Sequence, residues 1–194
     1  SAPSILYVKS NLEIIEIFSG PIIAVVGSRK MTPYGKQAAY IFSRDLAISG
    51  ITVVSGMALG IDAEAHLGAL EAKGKTIAVL GSSLEDANIG PRTNFNLSRK
   101  IIESGALVSD FPLGIQSIPG NFPARNRLMA GLTLGTLVIE AALESGSLIT
   151  ANLALEFNRE VFSVPGPIFS ESSRGTNHLL KSGAKLASGV QDIL

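Results

Sequence analysis

Short apolar and β-branched runs punctuate the chain, separated by longer stretches with helical spacing. The runs are Ile22–Val26, Ile51–Ser55, Thr76–Leu80, Ala106–Ser109, Thr136–Ile139 and Val161–Val164. Most are followed by Gly, Pro or an acidic residue. In the first intervening stretch Ala38, Ile41, Phe42 and Leu46 share one helical face, and Gly50 is placed to stop that helix. Strand–helix alternation implies right-handed crossovers, hence a parallel sheet covered by helices on both faces. The pattern predicts one such α/β domain over residues 21–194, preceded by a lead-in segment over 1–20. In the lead-in, Ile5–Val8 reads as a short strand. Asn11 reads as a helix cap, with Leu12, Ile15 and Phe18 on one apolar face. After Pro165 the pattern gives a Pro/Gly loop, a short helix near Asn177–Lys181 and a strand at Ala184–Leu186.

Composition narrows the function. A chain of 194 residues is long enough for a sizeable core. Hydrophobic residues make up 46% and glycines number 20, which suits buried parallel strands joined by tight turns. The formal net charge is zero, so a polyanion site has to come from a local patch. Two histidines and no cysteine leave little material for a transition-metal site, and neither metal nor cofactor is expected. The lack of cysteine fits a reducing compartment. No signal-like segment opens the chain, and the uncharged run Leu46–Ile61 is short and broken by Gly50, Gly56 and Gly60. The expectation is a cytoplasmic protein with no membrane segment.

Ligands of such sheets bind beyond the carboxyl ends of the strands, where the winding reverses. Gly27-Ser28-Arg29 follows the first run and departs from the Gly-x-Gly-x-x-Gly dinucleotide fingerprint. Arg29 reads either as a phosphate ligand or as the partner of a carboxylate. The turn Ser55-Gly56-Met57-Ala58-Leu59-Gly60 offers backbone N–H groups to an anion, while Asp62 reads as charging the following helix start. His66, one turn on, reads as a packed, hydrogen-bonded histidine. Glu140 is an acid–base candidate or, as the favoured reading, the partner of an arginine. Ser145-Gly146-Ser147 opens a helix with two hydroxyls, one for capping and one for phosphate. The richest stretch is Phe122-Pro123-Ala124-Arg125-Asn126-Arg127. Pro123 suits a first helical turn, whose free N–H groups would lie beside Arg125 and Arg127. Phe122 is either a hydrophobic staple or a platform for a nucleobase.

The order and spacing of these motifs resemble the DprA/Smf DNA processing family. The resemblance rests on Val26-Gly27-Ser28-Arg29, Ser55-Gly56-x-Ala58-x-Gly60-Ile61-Asp62 with Ala65-His66, and Thr76–Gly81. Phe122-Pro123-x-Arg125-Asn126-Arg127, Glu140-Ala141, Ser145-Gly146-Ser147, Val164-Pro165-Gly166 and Gly175-x-Asn177 complete it. It implies an extended Rossmann-like parallel sheet and a homodimer. It also implies a role without catalysis: binding and protecting incoming single-stranded DNA, and loading the recombinase RecA in natural transformation. The implied pocket includes Arg29 and Phe122. Three departures stand out. Gly90 replaces a tyrosine before Pro91-x-x-Asn94. Ser109-Asp110-Phe111-Pro112 replaces Ser-Glu-Tyr-Pro. The loop Gly114–Asn121 carries no basic residue. Many members also carry a helical domain before this core and a winged-helix domain after it, so the chain reads as an excised core or a minimal member. The alternative is a nucleotide N-glycosidase-like enzyme of the lysine-decarboxylase-like group, with Arg29 and Glu140 in its crevice.

Overall fold

The structure, a computed structural model, describes residues 2–194. Eight strands of the described residues form one sheet: β1 (Tyr7–Lys9), β2 (Ile22–Val26), β3 (Thr52–Ser55), β4 (Thr76–Val79), β5 (Ala106–Ser109), β6 (Gly135–Val138), β7 (Glu160–Ser163) and β8 (Lys185–Leu186). Their order is β1-β5-β4-β3-β2-β6-β7-β8. The seven strands from β2 onward are mutually parallel. β1 pairs antiparallel with β5, so the sheet is mixed rather than wholly parallel. The lead-in thus supplies an edge strand, and Ile17 from it is fully buried.

Among the described residues, seven helices cover the sheet: α1 (Ile14–Phe18), α2 (Pro33–Ile48), α3 (Ile61–Glu71), α4 (Phe95–Ser104), α5 (Asn121–Leu132), α6 (Gly146–Glu156) and α7 (Arg174–Lys181). The strands are apolar on both faces because each face packs a helical layer. Along β2, Ile22 and Val26 join the cluster holding Ile17, Leu128, Met129, Ala151 and Leu179, from α1, α5, α6 and α7. Ile23 and Val25 join the opposite cluster, with Ala39, Phe42 and Leu46 of α2 and Ile61 and Ala65 of α3. A third cluster packs α4 through Leu97, Ile101 and Ile102.

Two local expectations are corrected. Ile41 is 36% exposed, and Ala39 takes the buried place in α2 beside Phe42 and Leu46. In α1 the cap is Glu13 rather than Asn11, and Ile15 is exposed while Ile17 is buried. That helix begins later than the asparagine implied, which rotates its apolar face. Gly50 does end α2, in the left-handed region at φ +78° that glycine adopts without strain. The winding reverses between β2 and β6, so the crevice lies beyond Val26 and Val138.

Candidate functional site

Three loops meet at the reversal. Gly27 approaches α3 so closely that an added Cβ would lie 2.7 Å from the Ile61 side chain. The Ser28 N–H donates to the Glu140 carbonyl at 2.8 Å, and the Ser28 carbonyl accepts from the Ile61 N–H at 3.1 Å. These bonds clamp the turn between β6 and α3, and Arg29 projects from it into solvent. Its guanidinium carbon lies 4.8 Å from the centre of the Phe122 ring. That of Arg125 lies 5.6 Å from the same ring. An exposed cation–aromatic contact is worth only about 0.5–1 kcal/mol, so Arg29 is positioned yet easily re-aimed. Among the described residues no carboxylate lies within ion-pair distance of Arg29, which leaves its charge available.

Arg125 is the buried counterpart, at 4% exposure. Its Nη1 donates to the Val79 carbonyl at 3.1 Å. Burial lowers its pKa, the Asp62 carboxylate opposes that fall, and the charge of Arg29 adds to it. Burial raises the Asp62 pKa against the opposing charge of Arg125. Asp62 Oδ2 accepts from the N–H groups of Gly56 at 3.2 Å and Ala58 at 3.4 Å. The glycine-rich turn therefore spends these two donors on its own carboxylate rather than on a bound anion. His66 is fully buried, and its Nδ1 lies 2.7 Å from Thr76 Oγ1. Thr76 donates to the Val53 carbonyl, so the hydroxyl accepts from Nδ1–H. Burial first, then Arg125, lowers the His66 pKa to about 3. It is the packed, hydrogen-bonded histidine that was expected.

Two cavities, of about 560 and 540 Å³, flank this assembly and share Arg29, Ala58, Phe122 and Arg125. Each falls within the roughly 300–1,000 Å³ range of small-ligand pockets. One runs over Gly56, Ala58 and Leu59 to the segment Ala87–Arg92, with Gln116 and Ser117 opposite. The other lies at the reversal and is lined by Gly27, Ser28, Lys30, Asn126, Ser145 and Ser147, among others. Asn126 Nδ2 donates to the Gly146 carbonyl at 3.3 Å, tying α5 to the start of α6. Ser145 caps α6 by accepting from the Ser147 N–H, and the two hydroxyls lie 2.7 Å apart.

Nine of the sequence-selected residues thus line one of these cavities, and two do not. Arg127 turns away: its Nη2 donates to Asp110 Oδ2 at 2.8 Å. Residues two apart on a helix point to different sides, so Arg125 and Arg127 cannot both face the crevice. Ser55 is fully buried, and its hydroxyl donates to the Val25 carbonyl at 2.7 Å, inside the sheet. Glu140 meets no arginine. Its Oε2 accepts from the Thr32 N–H at 3.0 Å, and its Oε1 accepts from Thr32 Oγ1 at 2.5 Å and Ser172 Oγ at 3.3 Å. It anchors the start of α2. Sequence reasoning missed Lys30 and Arg92, which line the cavities. Their signal was adjacency, Lys30 to the Gly-Ser-Arg turn and Arg92 to Gly90-Pro91.

A doubly wound sheet whose reversal carries exposed arginine, buried arginine and a shared aromatic ring defines a Rossmann-like α/β domain with a cationic crevice. The sequence matches DNA recombination-mediator protein A across residues 1–194, and the chain belongs to that family. It is 46% identical to Protein Smf of Escherichia coli over 193 residues, covering 99% of this chain and 50% of the relative. The X-ray structure of DNA processing protein A from Streptococcus pneumoniae superposes with a TM-score of 0.89 at 39% identity, over 97% of this chain and 64% of that one. The Helicobacter pylori protein, solved for insight into its single-stranded DNA binding mode, gives a TM-score of 0.89 at 33% identity, over 100% and 86%. The chain spans about half the length of its Escherichia coli relative. Among the described residues no helix is long and apolar enough to cross a membrane.

Proposed function

We propose that the crevice binds single-stranded DNA and that its part in DNA processing is binding rather than catalysis. The observation that carries this is the Arg29–Phe122 contact standing between two nucleotide-sized cavities. A guanidinium neutralises phosphate, and an aromatic face accepts any base, which together suit a flexible strand without sequence preference. The likeness to the Helicobacter pylori protein supports the same reading. Glu140 favours it too, since a carboxylate spent on Thr32 and Ser172 is poorly placed as the acid or base of an N-glycosidase. Loading of the recombinase RecA onto the bound strand, action as a homodimer and a cytoplasmic setting belong to this proposal. Support for them comes from family membership rather than from the crevice.

Binding of labelled single- and double-stranded oligonucleotides, titrated with salt, tests the reading. Single strands should bind tighter. With Arg29 and Lys30 each neutralising one phosphate, log affinity should fall with log salt at a slope of about −1.4, from roughly 0.7 per contact. Arg29→Ala should weaken binding and make the slope shallower by about 0.7. Unchanged affinity in Arg29→Ala, or equal affinity for duplex, overturns the proposal.

A further inference from the structure

The cavity over Gly56 leads away from Arg29 to Arg92, and there the structure repeats itself. The Arg92 guanidinium carbon lies 4.6 Å from the centre of the Phe95 ring, and that of Arg99 lies 5.3 Å from it. One aromatic ring with two arginines thus stands at one end of this cavity, and a second such group meets the cavity through Arg92, with Phe95 and Arg99 behind it. Helical spacing explains the second group, because Arg92 and Arg99 lie three residues before and four after Phe95.

Arg92 is exposed and lines the cavity, and its outer groups are held in place. Its Nη1 donates to the Asp86 carbonyl at 2.7 Å. Arg99 Nη2 pairs with Asp86 Oδ2 at 2.6 Å, and Lys9 Nζ pairs with Oδ1 at 2.7 Å. The hydrogen bond from Lys9, then the charges of Lys9, Arg99 and Arg92, lower the Asp86 pKa, so it stays ionised as their anchor. The neighbouring Glu85 accepts from Ser83, Asn88 and the Gly114 N–H. Three cations against these two carboxylates leave excess positive charge on a chain whose net charge is zero. Exposed ion pairs contribute little to stability, typically about 0–1 kcal/mol, so the fold has little need of this network. What it provides is a planar guanidinium, backed by a ring and oriented toward the cavity.

We propose that the Arg92–Phe95–Arg99 group is a second contact step for the same single-stranded nucleic acid. The strand would pass from Phe122 through the intervening cavity to Arg92. There a phosphate meets the Arg92 charge. Phe95 acts as a positioning residue, stiffening Arg92 from below. This inference rests on the crevice binding single-stranded DNA.

Length dependence separates the two steps. Oligothymidylates of about four and about twelve nucleotides bracket much of the usual ~4–16-nucleotide span of single-strand sites. The intact chain should bind the longer one more tightly. Arg92→Gln should weaken the longer by about 5–20-fold, an energy near the tenfold equivalence of ~1.4 kcal/mol, and leave the shorter within about two-fold. It should also make the salt slope for the longer shallower by about 0.7. Phe95→Leu keeps an apolar side chain against the third cluster and removes the ring, so it should weaken only the longer oligomer, by about three-fold. Thermal melts confirm that both variants are folded. Equal losses for both lengths, or no loss for either, overturn the second step. If Arg29→Ala still weakens both lengths in that case, the first step stands alone. If Arg29→Ala weakens neither, the parent reading fails instead.

Discussion

Gly56 sits where the buried charge and the glycine-rich turn compete for the same space. An added Cβ there would lie 1.4 Å from Arg125 Nη1 and 2.7 Å from Asp62 Oδ2. Gly56→Ala therefore forces the Arg125 guanidinium out of its place. That breaks its bond to the Val79 carbonyl, and a hydrogen bond from a charged donor is worth about 1.5–3 kcal/mol. Forcing a methyl into a packed interior costs a further ~1–3 kcal/mol. A loss of about 3 kcal/mol, near the low end, lowers Tm by roughly 6–12 °C in a domain of this size. Gly131→Ala is the matched control. Gly131 lies within α5, and its nearest neighbour outside that helix, the Phe157 ring, would lie 3.9 Å from an added Cβ. There alanine should gain about 0.5–1 kcal/mol of helix stability. Thermal melts of the two variants should move in opposite directions. A Gly56→Ala protein melting within about 1 °C of the parent would refute the placement of Arg125 beneath this turn.

Acid stability should carry the signature of His66. The folded protein keeps it neutral down to about pH 3, whereas an unfolded histidine protonates near 6.5. Between those values the unfolded state holds the extra proton, so unfolding free energy falls as pH falls. The share from His66 approaches about 1.4 kcal/mol per pH unit once the unfolded histidine is fully protonated, and amounts to roughly 2.3 kcal/mol from pH 6.5 to 4.5. Asp62, with its raised pKa, acts in the opposite sense, gaining stability as it protonates. Denaturant melts of the parent and His66→Gln across this window isolate the histidine, and identical pH slopes would refute its buried neutral state. Glu140→Gln should destabilise the fold by about 1–2 kcal/mol, because an amide nitrogen cannot accept from Thr32. Its affinity for single strands should stay within about two-fold, and neither protein should release free base from a nucleoside monophosphate. Base release that disappears in Glu140→Gln would restore the enzyme reading.

Much of the fold was legible because the strands announce themselves. Ile22–Val26 and Ala106–Ser109 match the apolar runs residue for residue, β3 and β4 are each one residue shorter than their runs, and β6 and β7 are shifted by one. A strand covered on both faces reads as a near-continuous apolar run, and that signature marks the central strands. The glycine turns and Phe122-Pro123-x-Arg125 likewise pointed to the reversal of winding. The lead-in strand was legible as the run Ile5–Val8, but its antiparallel direction was not. Tyr7–Lys9 carries no mark of direction, which is settled by pairing with Ser109, about a hundred residues away.

Side-chain direction divides the site in the same way. The sequence by itself determined that positive groups, an aromatic ring and small residues gather at the strand ends, since motif order and strand order fix which loops meet. Only the tertiary structure decided which arginines act together. Helical rotation gives Arg125 to the buried floor and Arg127 to Asp110, and distant loops give Glu140 to Thr32 and Ser172. Local periodicity fixes where a backbone goes and which face is apolar. The reach of a long polar side chain depends on what another segment brings within about 3 Å of it, and that is a property of the folded chain alone.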